Sequence, residues 1–310
     1  MTEMHPLGKA RRGTFNVELS SECAICLVRG IGSLIAILET DSKLQLDLFS
    51  EAFAILSRSF REQLTPAVIV NHLNRAFRSL KGVDDPYYEL KQESIKRSRE
   101  VMLLIQEKLL GCSSYQGLRG ALAASITGNL IDFHSAGHSP DLQSLERLFI
   151  EIYSAGFAVD DSIPLWKTMT QKQGNVLVLA DNAGESHFDI PLLQLFKDKG
   201  WQIKYCVKAG PIVNDATPAE IEGTEIDKIA SVVTTGARAI GTPIDEVSES
   251  FLDLVDSSDL ILSKGQANLE TFPEIQRQYE TSTFYILRAK CPHIARTLHV
   301  ETGSNIVLGV

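Results

Sequence analysis

The chain has 310 residues, 44% hydrophobic and 22% charged, an ordinary balance for a globular protein with room for one large α/β unit or two smaller units sharing a crevice. Its formal net charge of −9 argues against general nucleic-acid binding, which needs a clustered Lys/Arg surface; Lys9-Ala10-Arg11-Arg12 and Lys96-Arg97-Ser98-Arg99 are too short to supply one. No run reaches the roughly 18 apolar residues of a membrane span, the nearest, 23 to 38, being interrupted by Arg29, Gly30, Gly32 and Ser33.

The basic first fifteen residues lack the apolar core and cleavage site of a secretory signal, and five cysteines in a chain of this size fit reduced thiols better than a disulfide framework. A cytoplasmic location is expected. From Ser20 to about Lys172 helical periodicity dominates: Leu27, Ile31, Leu34, Ile35 and Leu38 recur on one helical face. Further helices are expected from Asp47 to Gln63, Pro66 to Leu80, Tyr87 to Leu110 and Tyr115 to Ile131, with one or two more between Glu151 and Thr170. Thr65-Pro66 can open a helix, and Gly82-Val83-Asp84-Asp85-Pro86 breaks the chain before another.

After Gly174 the texture changes to short branched-aliphatic runs: 175 to 180, Ile203 to Val207, Ile229 to Val233, Leu260 to Leu262, Phe284 to Leu287 and Ile306 to Leu308. Strands alternating with helical stretches imply βαβ units and a doubly wound, mostly parallel sheet with helices on both faces. The expected organisation is a mainly helical module over residues 1–172 that caps the crevice, followed by an α/β/α domain over residues 173–310 that binds metal and phosphate.

Three polar loops follow strands of that domain, and open α/β sheets bind ligands at the carboxyl ends of their strands. The first is Asp181-Asn182-Ala183-Gly184-Glu185, the second Pro211-Ile212-Val213-Asn214-Asp215-Ala216-Thr217, the third Ser263-Lys264-Gly265-Gln266-Ala267-Asn268-Leu269-Glu270. Taken alone, Asp181-Asn182 reads equally well as a helix cap. Taken together, Asp181, Asn182 and Asp215 form an oxygen-only ligand set suited to Mg²⁺ or Mn²⁺. A helix opening near Glu185 would aim its first N–H groups, near Ala183, Gly184 and Glu185, at a phosphate, and Gly184 would let the ligand approach. Lys264 offers a positive charge to a phosphoryl oxygen, and Asn268 a hydrogen bond to substrate or to a water.

These three loops, with Cys23-Ala24-Ile25-Cys26-Leu27-Val28-Arg29, Asp85-Pro86-Tyr87, Gly128-Asn129-Leu130-Ile131-Asp132 and Ala289-Lys290-Cys291, resemble the DUF89 family of metal-dependent damage-control phosphatases, most closely its stand-alone microbial type. The resemblance implies a helical module packed on an α/β/α domain. It also implies hydrolysis of phosphate monoesters with Mg²⁺, Mn²⁺, Co²⁺ or Ni²⁺, and it carries the metal ligands onto Asp181, Asn182 and Asp215. Where the family has Lys-Gly-Gln-Gly-Asn-Tyr-Glu, this chain has Ala267 and Leu269 in place of a Gly and an aromatic, which bears on the substrate pocket.

The mechanism expected from this set is attack on phosphorus by a metal-activated water, with direct attack by Asp181 ranked second. Asp181, Asn182, Asp215 and Lys264 are the catalytic candidates. Gly184, Glu185, Asn214, Gly265, Asn268, Asn129 and Asp132 are the substrate-binding candidates, Asn129 and Asp132 sharing a helical face at i and i+3. The expected partner is a small phosphorylated metabolite, a sugar phosphate or damaged cofactor phosphate; oligomeric state is left open. The rival reading is a non-catalytic protein that binds a nucleotide or sugar phosphate. Methyltransferase and dinucleotide-oxidoreductase readings fail because the first loop has one Gly where those folds need several. Cys23, Cys26 and Cys291 could meet as a redox or metal site, with His293 as a further ligand, or act as small buried apolar residues. His134 and His138, separated by Ser135-Ala136-Gly137, read as loop residues.

Overall fold

A computed structural model describes residues 16–109, 113–129 and 142–310. Asp132, His134, His138 and the basic segment from Lys9 to Arg12 lie outside these described residues. Among the described residues the first elements are helices Ser21–Leu38, Ser42–Arg61, Pro66–Lys81, Tyr88–Leu109, Tyr115–Gly128, Leu142–Ala155 and, after a two-residue strand, Ser162–Gln171. Local chemistry sets several boundaries. The Asp41 side chain accepts the Lys43 and Leu44 N–H groups, Pro66 occupies a first-turn position, and Gly82 at φ 65° ends its helix in the left-handed region.

The sheet comprises β1 (Val159–Asp160), β2 (Asn175–Leu179), β3 (Gln202–Val207), β4 (Ser231–Thr234), β5 (Leu260–Lys264), β6 (Thr283–Arg288) and β7 (Asn305–Gly309), in the spatial order β1-β7-β6-β5-β2-β3-β4. It is parallel throughout except where β7 meets β6. β1, unexpected from sequence, is two residues long and pairs with β7. Ile229 closes a short helix, so β4 starts two residues later than its aliphatic run suggests.

Connections leave β2 toward β3 on one side and β5 toward β6 on the other, which makes the β2/β5 boundary a topological switch point. Leu179 is level with Cys206 on β3 and with Ser263 on β5, so the loops after all three strands emerge together.

Alternation along β2 divides the core. Val176 and Val178 face a cluster with Leu118, Leu122, Phe188 and Phe196, while Leu177 and Leu179 face one with Phe251, Leu269 and Phe272. The helices Tyr88–Leu109 and Tyr115–Gly128 therefore share a core with the sheet. The apolar cores do not follow a 172/173 boundary: the separate cluster is built from Leu27, Leu34, Leu56, Leu73, Phe77 and Tyr87. The helix Ser21–Leu38 is long and apolar enough to cross a membrane by length and composition, yet it buries Cys23, Leu27, Ile31, Leu34 and Ile35 in the fold.

A buried ion pair joins this early helical layer to the sheet's connections. The Lys91 ammonium, with its side chain 0% exposed, lies 2.7 Å from Asp85 and 2.6 Å from Glu220. Glu220 also accepts the Thr217 N–H, as part of a capping box that follows the second polar loop. Removing one partner of such a pair strands the others in low dielectric. Lys91→Ala should cost about 3–5 kcal/mol in chemical denaturation; a loss below about 1 kcal/mol would show that solvent reaches the freed carboxylates.

Candidate active site

The first two polar loops are joined by backbone. The Asp181 carbonyl accepts the Ala216 N–H at 2.9 Å, the Asn214 carbonyl accepts the Ala183 N–H at 2.8 Å, and Asn182 and Asp215 form an isolated antiparallel bridge. Asp181, Asn182 and Asp215 are thus brought together, although the outermost two lie 34 positions apart in the chain. The third loop closes on the same point. Gly265 has φ 79°, and a Cβ there would fall 2.1 Å from Asp181 Oδ2, so only glycine lets this backbone pass the carboxylate.

Asn129 completes the cluster from the end of the helix Tyr115–Gly128. Its Nδ2 donates to Asp181 Oδ2 at 2.8 Å and to Glu185 Oε2 at 2.9 Å, and Asn182 Nδ2 donates to the same two oxygens at 3.3 and 3.2 Å. Gly128 allows that approach, because a side chain there would meet Phe188 and Glu185. Asn214 is half-buried and contributes through its carbonyl.

Behind these residues lies a second layer that sequence reasoning missed. Asp189, one helical turn after Glu185, accepts from Ser125 Oγ at 2.7 Å, Tyr205 Oη at 2.8 Å and Lys264 Nζ at 2.7 Å. Lys264 is fully buried and also donates to Glu185. Its ammonium is therefore committed to two carboxylates instead of facing a phosphate. Burial would lower its pKa, but Asp189 and Glu185 outweigh that and hold it raised. Part of the signal is in the chain: Glu185 and Asp189, at i and i+4, share one helical face and repel each other unless a cation lies between them.

Three further expectations change. The Ala183 N–H is used by Asn214 and is not free for a ligand. The space beside Gly184 is filled by Ser94, whose Oγ would lie 2.0 Å from an added Cβ, so this glycine admits the helix Tyr88–Leu109. Asn268 donates to the carbonyls of Ala180 at 3.1 Å and Lys264 at 2.7 Å, and so fastens the two strand ends together. Two other lysines border the cluster. Lys208 lies 3.7 Å from Asp215 Oδ2, and Lys290, after β6, is near enough to Asp181 to pull its pKa down.

Burial lifts Asp181 well above the usual carboxylate range, reinforced by Glu185 and Asp215 and opposed by Lys290 and Lys264. Burial likewise pushes Asp215 up to about 7, with Lys208 opposing and Glu185 reinforcing. Asp215 Oδ2 and Asn129 Oδ1 are buried without hydrogen-bond partners. Crowded acidic oxygens with orphaned lone pairs are what a hard cation would satisfy. Among the described residues no three His, Cys, Asp or Glu side chains are grouped closely enough to hold a metal, so a site here would need an amide oxygen among its ligands. Asp181, Asn182 and Asp215 provide that combination.

The thiols act otherwise. Cys23 is buried, Cys26 exposed and Cys291 half-buried, all as free thiols. Cys291 Sγ accepts the Ile294 N–H and caps the helix Pro292–Thr297, and His293 Nε2 donates to the Glu18 carbonyl at 2.6 Å. Although Cys26 is exposed as a residue, partial desolvation of its thiol, with Cys291 and Cys23 nearby, raises its pKa, the opposite of an activated thiolate.

The raised carboxylates set a pH dependence. The metal-free folded state holds the Asp215 proton more tightly than the unfolded chain, whose aspartates titrate at about 3.9. The stability this gives is full below the unfolded value and lost as pH rises through about 7. A divalent cation held by Asp215 would compete with those protons. Thermal unfolding with and without Mn²⁺ should therefore show a larger metal-induced rise at pH 8 than at pH 5, and Asp215→Asn should remove most of it. Equal rises at both pH values would contradict this assignment.

Comparison with known proteins identifies the family and the fold. The damage-control phosphatase ARMT1-like domain matches residues 19–306. An uncharacterized protein of Methanocaldococcus jannaschii is 31% identical over 294 residues, covering 94% of this chain and 96% of its own. A protein named damage-control phosphatase from Pyrococcus horikoshii is 29% identical over 293 residues, covering 94% of this chain and 98% of its own. The crystal structure of a DUF89 family protein from Pyrococcus horikoshii superposes with a TM-score of 0.84 at 28% identity, over 94% of this chain and 98% of that one. With the domain match spanning nearly its whole length and the strand-end loops converging as described, this chain belongs to the ARMT1-like, DUF89 family of damage-control phosphatases.

Proposed function

We propose that this chain hydrolyses the phosphate monoesters of small metabolites, sugar phosphates or damaged cofactor phosphates, in a crevice where Asp181, Asn182 and Asp215 hold Mg²⁺, Mn²⁺, Co²⁺ or Ni²⁺. The observation that carries this reading is the meeting of buried Asp181 and Asp215 with half-buried Asn182, beside two buried oxygens without hydrogen-bond partners, Asn129 Oδ1 and Asp215 Oδ2, the latter 3.7 Å from the Lys208 ammonium. Relatives named damage-control phosphatases give the reaction class. When bound, such a cation supplies Lewis-acid charge to a phosphoryl oxygen and lowers the pKa of a water.

The chain's own residues would do the rest. Asp181 accepts from Asn129 and Asn182, which lowers its nucleophilicity and favours water as the attacking group. Glu185 is held on one oxygen by Lys264 and on the other by the two amides, so it can orient that water without moving. Lys290 supplies positive charge at the same sheet edge, the part first assigned to Lys264. A water oxygen bonds to phosphorus, the ester P–O bond breaks, and the alcohol leaves with a proton.

Asp181→Ala should lower metal-dependent turnover of a chromogenic phosphate ester by roughly 10³-fold or more, with the far-UV circular dichroism spectrum retained. Unchanged turnover in that variant would overturn the site assignment. Saturable binding of phosphometabolites by the wild type, with no phosphate released under any of the four metals, would instead establish a binding protein.

A further inference from the structure

We infer that Val213 is a positioning residue for Asp215, holding it in place through a strained turn anchored in the helical layer. The inference rests on the reading of Asp215 as a metal ligand. The turn Ile212-Val213-Asn214-Asp215 is closed by a hydrogen bond from the Asp215 N–H to the Ile212 carbonyl at 3.1 Å. Val213 has φ 45°, while Asn214 is not in the positive-φ region. A positive φ at the second residue of a tight turn is a glycine position. A β-branched residue there has its Cβ substituents pressed against its own backbone, a conformation that persists only when its surroundings enforce it.

The enforcing contact is visible. The half-buried Val213 side chain packs against the separate helical cluster, which contains Leu34, Phe77 and Tyr87. It joins Leu34, Leu38, Phe77, Val83 and Pro86 around a narrow cleft behind the loop. On its amino side the loop is held by Arg238, whose guanidinium donates to the Pro211 carbonyl at 3.2 Å and to Asp84. On its carboxyl side, Asn214 and Ala216 are bonded to the Asp181 loop. Val213 stands between these attachments, two residues before Asp215. Glycine would relax the turn but release it from the helical layer. The valine accepts an unfavourable backbone in exchange for that anchor, which is the pattern of a residue that fixes a functional loop and not of one that maximises stability.

The test uses the full-length, metal-free protein and hydrogen exchange resolved to residues 208–217. Val213→Gly should accelerate exchange at the Asp215 and Ala216 amides by about tenfold or more, without lowering the thermal midpoint. Val213→Ala keeps most of the backbone cost but loses two methyl groups of the anchor, so it should shift exchange in the same direction by less. Val213→Ile should retain wild-type protection. Mn²⁺ binding followed by electron paramagnetic resonance should weaken about tenfold in the glycine variant and be restored in the isoleucine variant. Protection in Val213→Gly and Val213→Ala equal to or above that of the wild type would overturn the inference. If the wild type itself bound no Mn²⁺, the reading of Asp215 as a metal ligand would fall, while the exchange data would still decide what Val213 does.

Discussion

The fully buried Lys264 ammonium between Glu185 and Asp189 is the interaction on which the site depends. Two carboxylates on one helical turn would otherwise repel each other in low dielectric, and the cost of burying an unpaired charge is several kcal/mol or more. With Lys264 in place, Ser125 and Tyr205 complete the shell around Asp189. Glu185 is left with one oxygen turned toward Asn129 and Asn182. The outer pair of acidic groups, Asp181 and Asp215, is then built on an inner layer in which two carboxylates share one ammonium, and a cation would relieve the cost of ionising that outer pair in a buried site.

The sheet supplies the geometry. Strands β2, β3 and β5 end in register, so three loops distant in sequence rise at one level on either side of the switch point. Backbone bonds between the Asp181 and Asp215 loops fix two of them, and Gly265 lets the third pass the Asp181 carboxylate. The helical layer is fastened to the same region by the Lys91 ion pairs and by Val213. It is therefore part of the support of the site.

Much of this was legible in the chain. Branched-aliphatic runs followed by polar loops located β2, β3 and β5, and the loop residues Asp181, Asn182 and Asp215 do meet. What sequence could not rank was which polar groups face the crevice and which are consumed by the fold. Asn268 and Lys264 sit at a strand end as a ligand-binding pair would, yet one ties strand ends together and the other is shared between Glu185 and Asp189. Gly184 looked like room for a phosphate and is room for Ser94. Such roles depend on tertiary neighbours far away in the chain, at separations of 75 and 79 for the Lys264 partners and 88 for Asn268 and Ala180, which no local pattern encodes. β1 was missed because two residues carry no periodicity.

The most direct measurement is anomalous diffraction from a crystal of the wild-type protein equilibrated with Mn²⁺. A single strong peak within bonding distance of Asp181, Asn182 and Asp215 oxygens, with Lys264 still bound to Glu185 and Asp189, is the expected result. A peak elsewhere, such as beside Cys23, Cys26 and Cys291, or no peak among the three acidic-loop residues at saturating metal, would contradict the account.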